Sequence, residues 1–142
     1  MNRLEVARAY VPYDDGVLLV RRANCSTNNS FWELPGGKVE PGQNALDAAV
    51  AETEQETGLL IEPFTEAIPF TSYPITEGKY AGRLYTASYV MARVIGGTLL
   101  ANTCETDAIT VMDPYSALEQ LPLVDKSATV LRRVLNSALV NT

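Results

Sequence analysis

The stretch from Gly36 to Leu59, GGKVEPGQNALDAAVAETEQETGL, limits the fold more than any other part of the chain. It follows a short apolar piece, Phe31 to Leu34, which Pro35-Gly36-Gly37 interrupts; a second turn stands at Pro41-Gly42. From Asn44 to Thr57 the pattern predicts a helix. Asn44 is a good N-cap, and Gly58 sits where a helix end takes a left-handed residue. At about 100° per residue, Leu46, Ala49, Val50, Thr53 and Thr57 share a face that can pack on a sheet. Glu52 and Glu56, one turn apart, stand at the edge of that face. Asp47 and Glu54 point the other way, Glu54 lying about 160° from Glu52 around the helix.

The flanks supply the sheet. Leu4 to Val11 and Val17 to Arg22 read as strands around Asp14-Asp15-Gly16, a hairpin signal. Asn24 to Ser30 is polar and reads as a loop. Leu59 to Thr71 and Ala81 to Val94 are strand-like, with a loop from Tyr73 to Lys79 between them and a turn at Gly96-Gly97. Ala108 to Met112 is a short strand ending at Asp113-Pro114. Tyr115 to Gln120 is a short helix, and Val124 to Leu139 a longer one with Val130, Leu131, Val134, Leu135 and Leu139 at helical spacing. Strands, helix, strands, helices in that order predict an α+β fold, an αβα sandwich. The 142 residues fit one domain, 1–142, and 46% apolar content is enough for a core without disulfide staples.

Histidine is absent, which removes Ser-His-Asp and Cys-His catalysis and any His-based metal site. Base chemistry falls to carboxylates, lysine or tyrosine. Cys25 and Cys104 are the only cysteines and read as free thiols in a reducing compartment. The net charge of −6 argues against a nucleic-acid polymer or an anionic membrane as partner. It still allows a small phosphorylated ligand, because a metal ion can mediate the contact. The opening MNRLEVARAY has no apolar leader core, and no window approaches the roughly 20 apolar residues of a span, so a cytoplasmic location is expected.

Two carboxylates one turn apart can share a hard divalent cation and leave coordination positions for water and phosphate oxygens. The glycine turn brings bare backbone to the same place, so a carbonyl of Gly36 or Gly37 can add a ligand. On spacing alone, such a glutamate pair is more often a solvated helix face.

The residues Trp32-Glu33-Leu34-Pro35-Gly36-Gly37-Lys38-Val39-Glu40-Pro41-Gly42, with Glu52, Glu56, Gly58 and Leu59, resemble the Nudix box and its lead-in, the box itself being 37–59. Counted from Gly37 the frame runs to Leu59 without a gap. The Leu-Leu-Val-Arg-Arg strand, Val-Met-Asp-Pro and the final helix extend the likeness over nearly the whole chain. The resemblance implies the Nudix fold, a mixed curved sheet between helices, and hydrolysis of a nucleoside diphosphate linked to another group. Three charged positions of the pattern are lost: Gln43 and Gln55 stand for glutamates, and Ala51 for an arginine. Thr53 replaces an aliphatic residue. In the family the first glutamate and the arginine commonly pair, and here both are neutral, so no charge is orphaned. Gln55 keeps a carbonyl oxygen but no charge, which should weaken one metal position.

By resemblance, the metal is Mg2+, with Mn2+ as a substitute, held by Gly36, Glu52 and Glu56. Glu105 is a further candidate from the late loop, against the alternative of a solvated acid. The catalytic set is Glu52, Glu56 and Gln55, with Glu52 the first choice to orient or deprotonate the attacking water. Arg22 and Lys38 are candidate phosphate ligands. Arg83 and Asp125 are candidates for substrate binding, Asp125 equally a helix N-cap. Tyr73, Tyr80 and Tyr85 are candidate stacking partners. Leu-Pro-Leu-Val-Asp favours a MutT-like nucleoside triphosphate pyrophosphohydrolase, while Pro74, 15 residues beyond Leu59, favours an ADP-ribose or nucleotide-sugar pyrophosphatase. The three departures together favour a catalytically impaired domain that binds a nucleotide as a sensor. A homodimer is left open.

Overall fold

The computed structural model describes residues 3–22, 31–100 and 106–140. Among the described residues, nine strands and three helices follow one another: β1 (Arg3–Tyr10), β2 (Pro12–Tyr13), β3 (Gly16–Arg22), β4 (Trp32–Glu33), β5 (Gly36–Lys38), α1 (Ala45–Thr57), β6 (Leu59–Pro63), β7 (Ile68–Pro74), β8 (Leu84–Gly97), β9 (Thr106–Met112), α2 (Pro114–Gln120) and α3 (Asp125–Val140). One sheet runs β5-β1-β8-β6, with β7 also on β8; the other joins β2, β3, β4 and β9. β1 and β8 pair in parallel and the other pairs are antiparallel, so the first sheet is mixed.

Period-2 alternation distributes the core to both faces. Ala7 and Ala9 from β1, Val11 just after it, Leu18 from β3, and Val90 and Ala92 from β8 pack with Ala45, Ala48 and Ala49 of α1. Their neighbours Tyr10, Val17, Leu19 and Tyr89 face the opposite way, onto Ala117 of α2 and Val130 and Leu131 of α3. The result is an α+β fold with the sheets between helices, as the element order predicts. Among the described residues no helix is long and apolar enough to cross a membrane.

Two expectations about the strands are corrected. The hairpin at Asp14-Asp15-Gly16 joins β3 to the two-residue β2, not to β1, because the chain changes sheets at Val11, whose carbonyl accepts from the Leu18 amide at 3.0 Å. The apolar run from Leu59 to Thr71 is two strands. β6 and β7 lie end to end on the same edge of β8, pairing with its residues 92–97 and 84–89. A local pattern reports apolar alternation but not which partner takes each half. Gly96 and Gly97, read as a turn, are the last residues of β8, where a register shift between Leu60 and Ile61 admits them.

Helix α1 forms as predicted. Asn44 Oδ1 accepts from the Asp47 amide at 2.8 Å, the Asp47 carboxylate accepts from the Asn44 amide at 3.4 Å, and Gly58 closes the helix in the left-handed region.

Candidate active site

The site is built where β5 meets β1 and α1. Gly36 and Gly37 pair with Arg8 and Ala7 of β1. Gly36 runs so close to that strand that any β-carbon would strike the Ala7 carbonyl and the Arg8 Cα. A β-carbon on Gly37 would sit 2.8 Å from Glu52 Cδ, so the bare backbone is a cradle for that carboxylate. Glu56 Oε1 accepts from the Gly36 amide at 2.9 Å.

Glu56, placed by its spacing at the edge of the packed face of α1, lies within the buried face, with 6% of its surface accessible. Ala45 and Ala48 are buried on the same helix, while Leu46 and Val50 are only partly buried. Burial pushes its carboxyl pKa up to about 8. The Glu33 and Glu52 charges add to the rise, and the Gly36 amide and the Arg8 guanidinium oppose it.

Arg8 and Glu33 are site residues that sequence reasoning misses. Arg8 Nη2 pairs with Glu33 Oε1 at 3.2 Å, both side chains being largely buried. Arg8 Nη1 donates to the carbonyls of Leu34 and Gly36, each at 3.2 Å. The signal was present: Arg8 is a single charge between Ala7 and Ala9, and Glu33 one between Trp32 and Leu34. Charged residues are rarely buried unless paired, so two such interruptions of apolar runs point to each other.

The departures from the box pattern find local accommodation. Gln43 Oε1 accepts from the Glu40 amide at 3.0 Å, and the Gln43 amide donates to the Glu40 carbonyl at 3.0 Å, which closes the loop without an arginine. Ala51 is exposed. Gln55, expected on one edge with Glu52 and Glu56, is exposed, whereas Glu56 is buried and Glu52 half-buried.

A cleft of about 480 Å³ opens beside Gly37. Leu4, Val6 and Arg8 line it from β1 and Lys38 from β5. Tyr80, Tyr85, Val124, Lys126 and Ser127 complete it. The start of α3 is held there by β4: the Trp32 amide donates to the Pro122 carbonyl, the Val124 amide to the Trp32 carbonyl, and the Leu34 amide to Ser127 Oγ, all at 2.8–2.9 Å. Lys38 Nζ donates to Tyr80 Oη at 3.4 Å and lies 5.5 Å from the ring centre. The hydrogen bond and charge of Lys38, with the Lys79 charge, lower the Tyr80 pKa.

Arg83 does not line this cleft. Its guanidinium carbon lies 5.2 Å from the centre of the Tyr80 ring, and it borders a neighbouring depression with Glu5 and Glu40. Asp125 is exposed at the first position of α3 and lies outside the lining, while Lys126 and Ser127 lie within it. It is not an N-cap, since the Val124 carbonyl accepts the first helical bond, from Ala128. The ring of Tyr85 stacks on Tyr73 at 5.0 Å with Lys126 4.8 Å from its centre, so it is already engaged. Arg22 closes β3 opposite Thr106, and only its backbone is described. Glu105, Cys25 and Cys104 lie outside the described residues.

The donor set suits a hard cation. Glu52, Glu56 and the Gly36 carbonyl offer oxygen only, and the Glu33 and Glu52 charges add to the burial that raises the Glu56 pKa. Among the described residues no three acidic or thiol groups converge as a self-sufficient metal cage. Mg2+ in particular does not require one, because it keeps waters and takes phosphate oxygens beside one or two carboxylates.

The NUDIX domain model matches residues 3–134. This chain belongs to the NUDIX domain family. It is 27% identical over 129 residues to the 8-oxo-dGDP phosphatase NUDT18 of Homo sapiens, a match covering 91% of this chain and 36% of that protein. It is 37% identical over 59 residues to the CTP pyrophosphohydrolase of Escherichia coli (strain K12), covering 42% of this chain and 44% of that one. The matches thus span less than half the length of either relative. The crystal structure of a MutT protein from Methanosarcina mazei Go1 superposes with a TM-score of 0.74 at 20% identity, over 96% of each chain, and is alike in fold. The Gly36-to-Leu59 segment lies within the matched span.

Proposed function

We propose that this NUDIX domain is a Mg2+-dependent pyrophosphohydrolase. Its substrate is a nucleoside triphosphate, or another nucleoside diphosphate-linked compound, cleaved to a nucleoside monophosphate and pyrophosphate or a phosphorylated leaving group. One observation carries the reading: Glu56 is buried against the Gly36 amide beside Glu52, in a family whose named relatives above are a phosphatase and a pyrophosphohydrolase.

Glu52, Glu56 and the Gly36 carbonyl would hold the cation, which neutralises phosphate charge and acidifies a bound water when present. Gly37 leaves room for the Glu52 carboxylate, which orients the attacking water and accepts its proton. The Gly36 amide fixes the Glu56 carboxylate through Oε1, so one oxygen is committed and the other stays available. Arg8 draws β5 onto β1 through the Gly36 carbonyl and keeps the Glu33 charge neutralised beneath the site. Lys38 meets the substrate phosphates from the cleft. Orientation and electrostatics supply the acceleration, as is general for phosphoryl and nucleotidyl transfer.

The test is hydrolysis, with Mg2+ or Mn2+ added, of canonical and oxidised nucleoside triphosphates, ADP-ribose, nucleotide sugars and dinucleoside polyphosphates. Formation of no nucleoside monophosphate from any of them would overturn the proposal. A second reading rests on Gln43, Ala51 and the exposed Gln55: a domain that binds nucleotide without turnover. Heat of nucleotide binding with no product formed would select it.

A further inference from the structure

Among the described residues, three buried side-chain polar atoms have no hydrogen-bond partner: Thr53 Oγ1, Thr86 Oγ1 and Ser88 Oγ. Thr86 and Ser88 belong to β8. Thr53 belongs to α1, is fully buried, and shares the buried side of that helix with Glu56. A buried hydroxyl left unpaired is destabilising, and in a native fold it calls for a cause. Thr57, one turn later, shows what a threonine in a helix ordinarily does. Its Oγ1 donates to the Thr53 carbonyl, four residues back, at 2.6 Å, and accepts from the Leu59 amide at 3.1 Å. Thr53 makes no such bond to the Ala49 carbonyl. The box pattern has an aliphatic residue at this position, so packing alone does not ask for the hydroxyl.

Helical side chains lean toward the helix N-terminus. The groups that overhang Thr53 therefore belong to residues three and four further on, Glu56 and Thr57. Thr57 Oγ1 already donates once and accepts once. Glu56 has Oε1 on the Gly36 amide and its other carboxylate oxygen available. The acceptor that this turn of α1 offers Thr53 is thus the carboxylate of a residue assigned to the cation.

We propose that Thr53 is a positioning residue for the metal: its hydroxyl, idle in the metal-free protein, donates to the Glu56 carboxylate when that group holds the divalent ion. The inference rests on the metal-binding part of the reading above and adds a residue to it. Two neutral donors, the Gly36 amide and the Thr53 hydroxyl, then fix the carboxylate without bringing a charge that competes with the cation. A group that orients a metal ligand in this way changes metal affinity by about 10–100-fold. The same hydroxyl destabilises the metal-free fold, so removing it should move stability and metal affinity in opposite directions.

The experiment compares wild-type protein with Thr53→Val, Thr53→Ser and Ser88→Ala. Two quantities are measured for each: Tm without divalent ion, and Mn2+ affinity by electron paramagnetic resonance. Thr53→Val keeps the shape and removes the hydroxyl. Its Tm should rise by about 2–4 °C, because an unpaired polar group leaves a dry core. Its Mn2+ affinity should fall about tenfold. Thr53→Ser keeps the hydroxyl and should stay within about threefold of wild type in affinity. Ser88→Ala removes an unpaired hydroxyl from β8 and should leave the affinity unchanged. An unchanged Mn2+ affinity in Thr53→Val would overturn the proposal. So would a lower Tm in that variant, which would mean that the hydroxyl has a partner without metal, or an equal loss of affinity in Ser88→Ala. If the wild type binds Mn2+ but forms no nucleoside monophosphate, the hydrolase reading fails, while the affinities still decide the role of Thr53. A wild type that takes up no Mn2+ overturns both.

Discussion

The Glu56 carboxylate accepts from the backbone amide of Gly36 at 2.9 Å across 20 residues of sequence, locking the glycine strand to the acidic helix. Replacing Glu56 separates its two duties. Glu56→Gln keeps an oxygen for the Gly36 amide but removes the charge. It should fold with a Tm within a few degrees of wild type and lose about 10²-fold or more in kcat/KM. Glu56→Ala also leaves that amide unsatisfied in a buried place and should lose a further 1–3 kcal/mol of stability in urea unfolding.

The raised pKa of Glu56, about 8 against an ordinary 4.5, gives the site a pH dependence of fixed sign. The folded protein holds a proton that the unfolded chain releases near 4.5, so without divalent ion stability falls as pH rises from about 4.5 to 8. A cation takes the ionised form, so its binding expels that proton. Apparent Mg2+ affinity should therefore rise by up to about tenfold per pH unit across the same window and level off above about 8. Calorimetry in buffers of different ionisation heat checks this through the protons released. Glu56→Gln should flatten both slopes.

Removing Arg8 should take away the guanidinium that pairs with Glu33 beneath the site, where the two side chains are only 14% and 7% accessible. Arg8→Met should cost about 3 kcal/mol or more, the usual result of breaking one half of a buried pair. Adding Glu33→Gln should recover part of that loss. Denaturant midpoints of both single variants and the double variant measure the coupling.

Gln55→Glu tests the weakened metal position. Residue 55 is exposed, so the new carboxylate avoids a desolvation penalty, and stability should stay within about 0.5 kcal/mol of wild type. The Mg2+ concentration giving half-maximal rate should fall. A metal titration that does not move would count against a cation near this position.

Gly37→Ala should push Glu52 aside, because the added β-carbon falls 2.8 Å from its Cδ. The expected result is a drop in kcat of at least tenfold with only a modest loss of stability, since the displaced group is the end of a flexible side chain. Gly36→Ala meets backbone instead, and should reduce the yield of folded protein.

Much of this was readable in the chain itself. The capping residues Asn44 and Asp47 and the closing Gly58 bound α1 through contacts within a few residues. The box spacing from Gly37 to Leu59 gave the family before any fold was known. What misled was pairing at a distance. The turn at Asp14-Asp15-Gly16 is real, but β1 leaves it for another sheet, and helical periodicity placed Glu56 at an edge that β5 in fact covers. Arg8 and Glu33 stand 25 residues apart and carried only a faint signal, a charge set within apolar surroundings.

Sequence alone determined the helix with its Glu52 and Glu56 pair, the glycines that precede it, and the absence of any histidine chemistry, because these depend on residue type and near-neighbour spacing. The tertiary structure alone decided which carboxylate is buried, which cation reaches the cleft, and that Lys126 rather than Asp125 lines it. Those outcomes depend on how β1, β5 and the start of α3 are brought side by side. Charge and burial are properties of that juxtaposition, since the cost of an ion is set by what surrounds it and not by its neighbours along the chain.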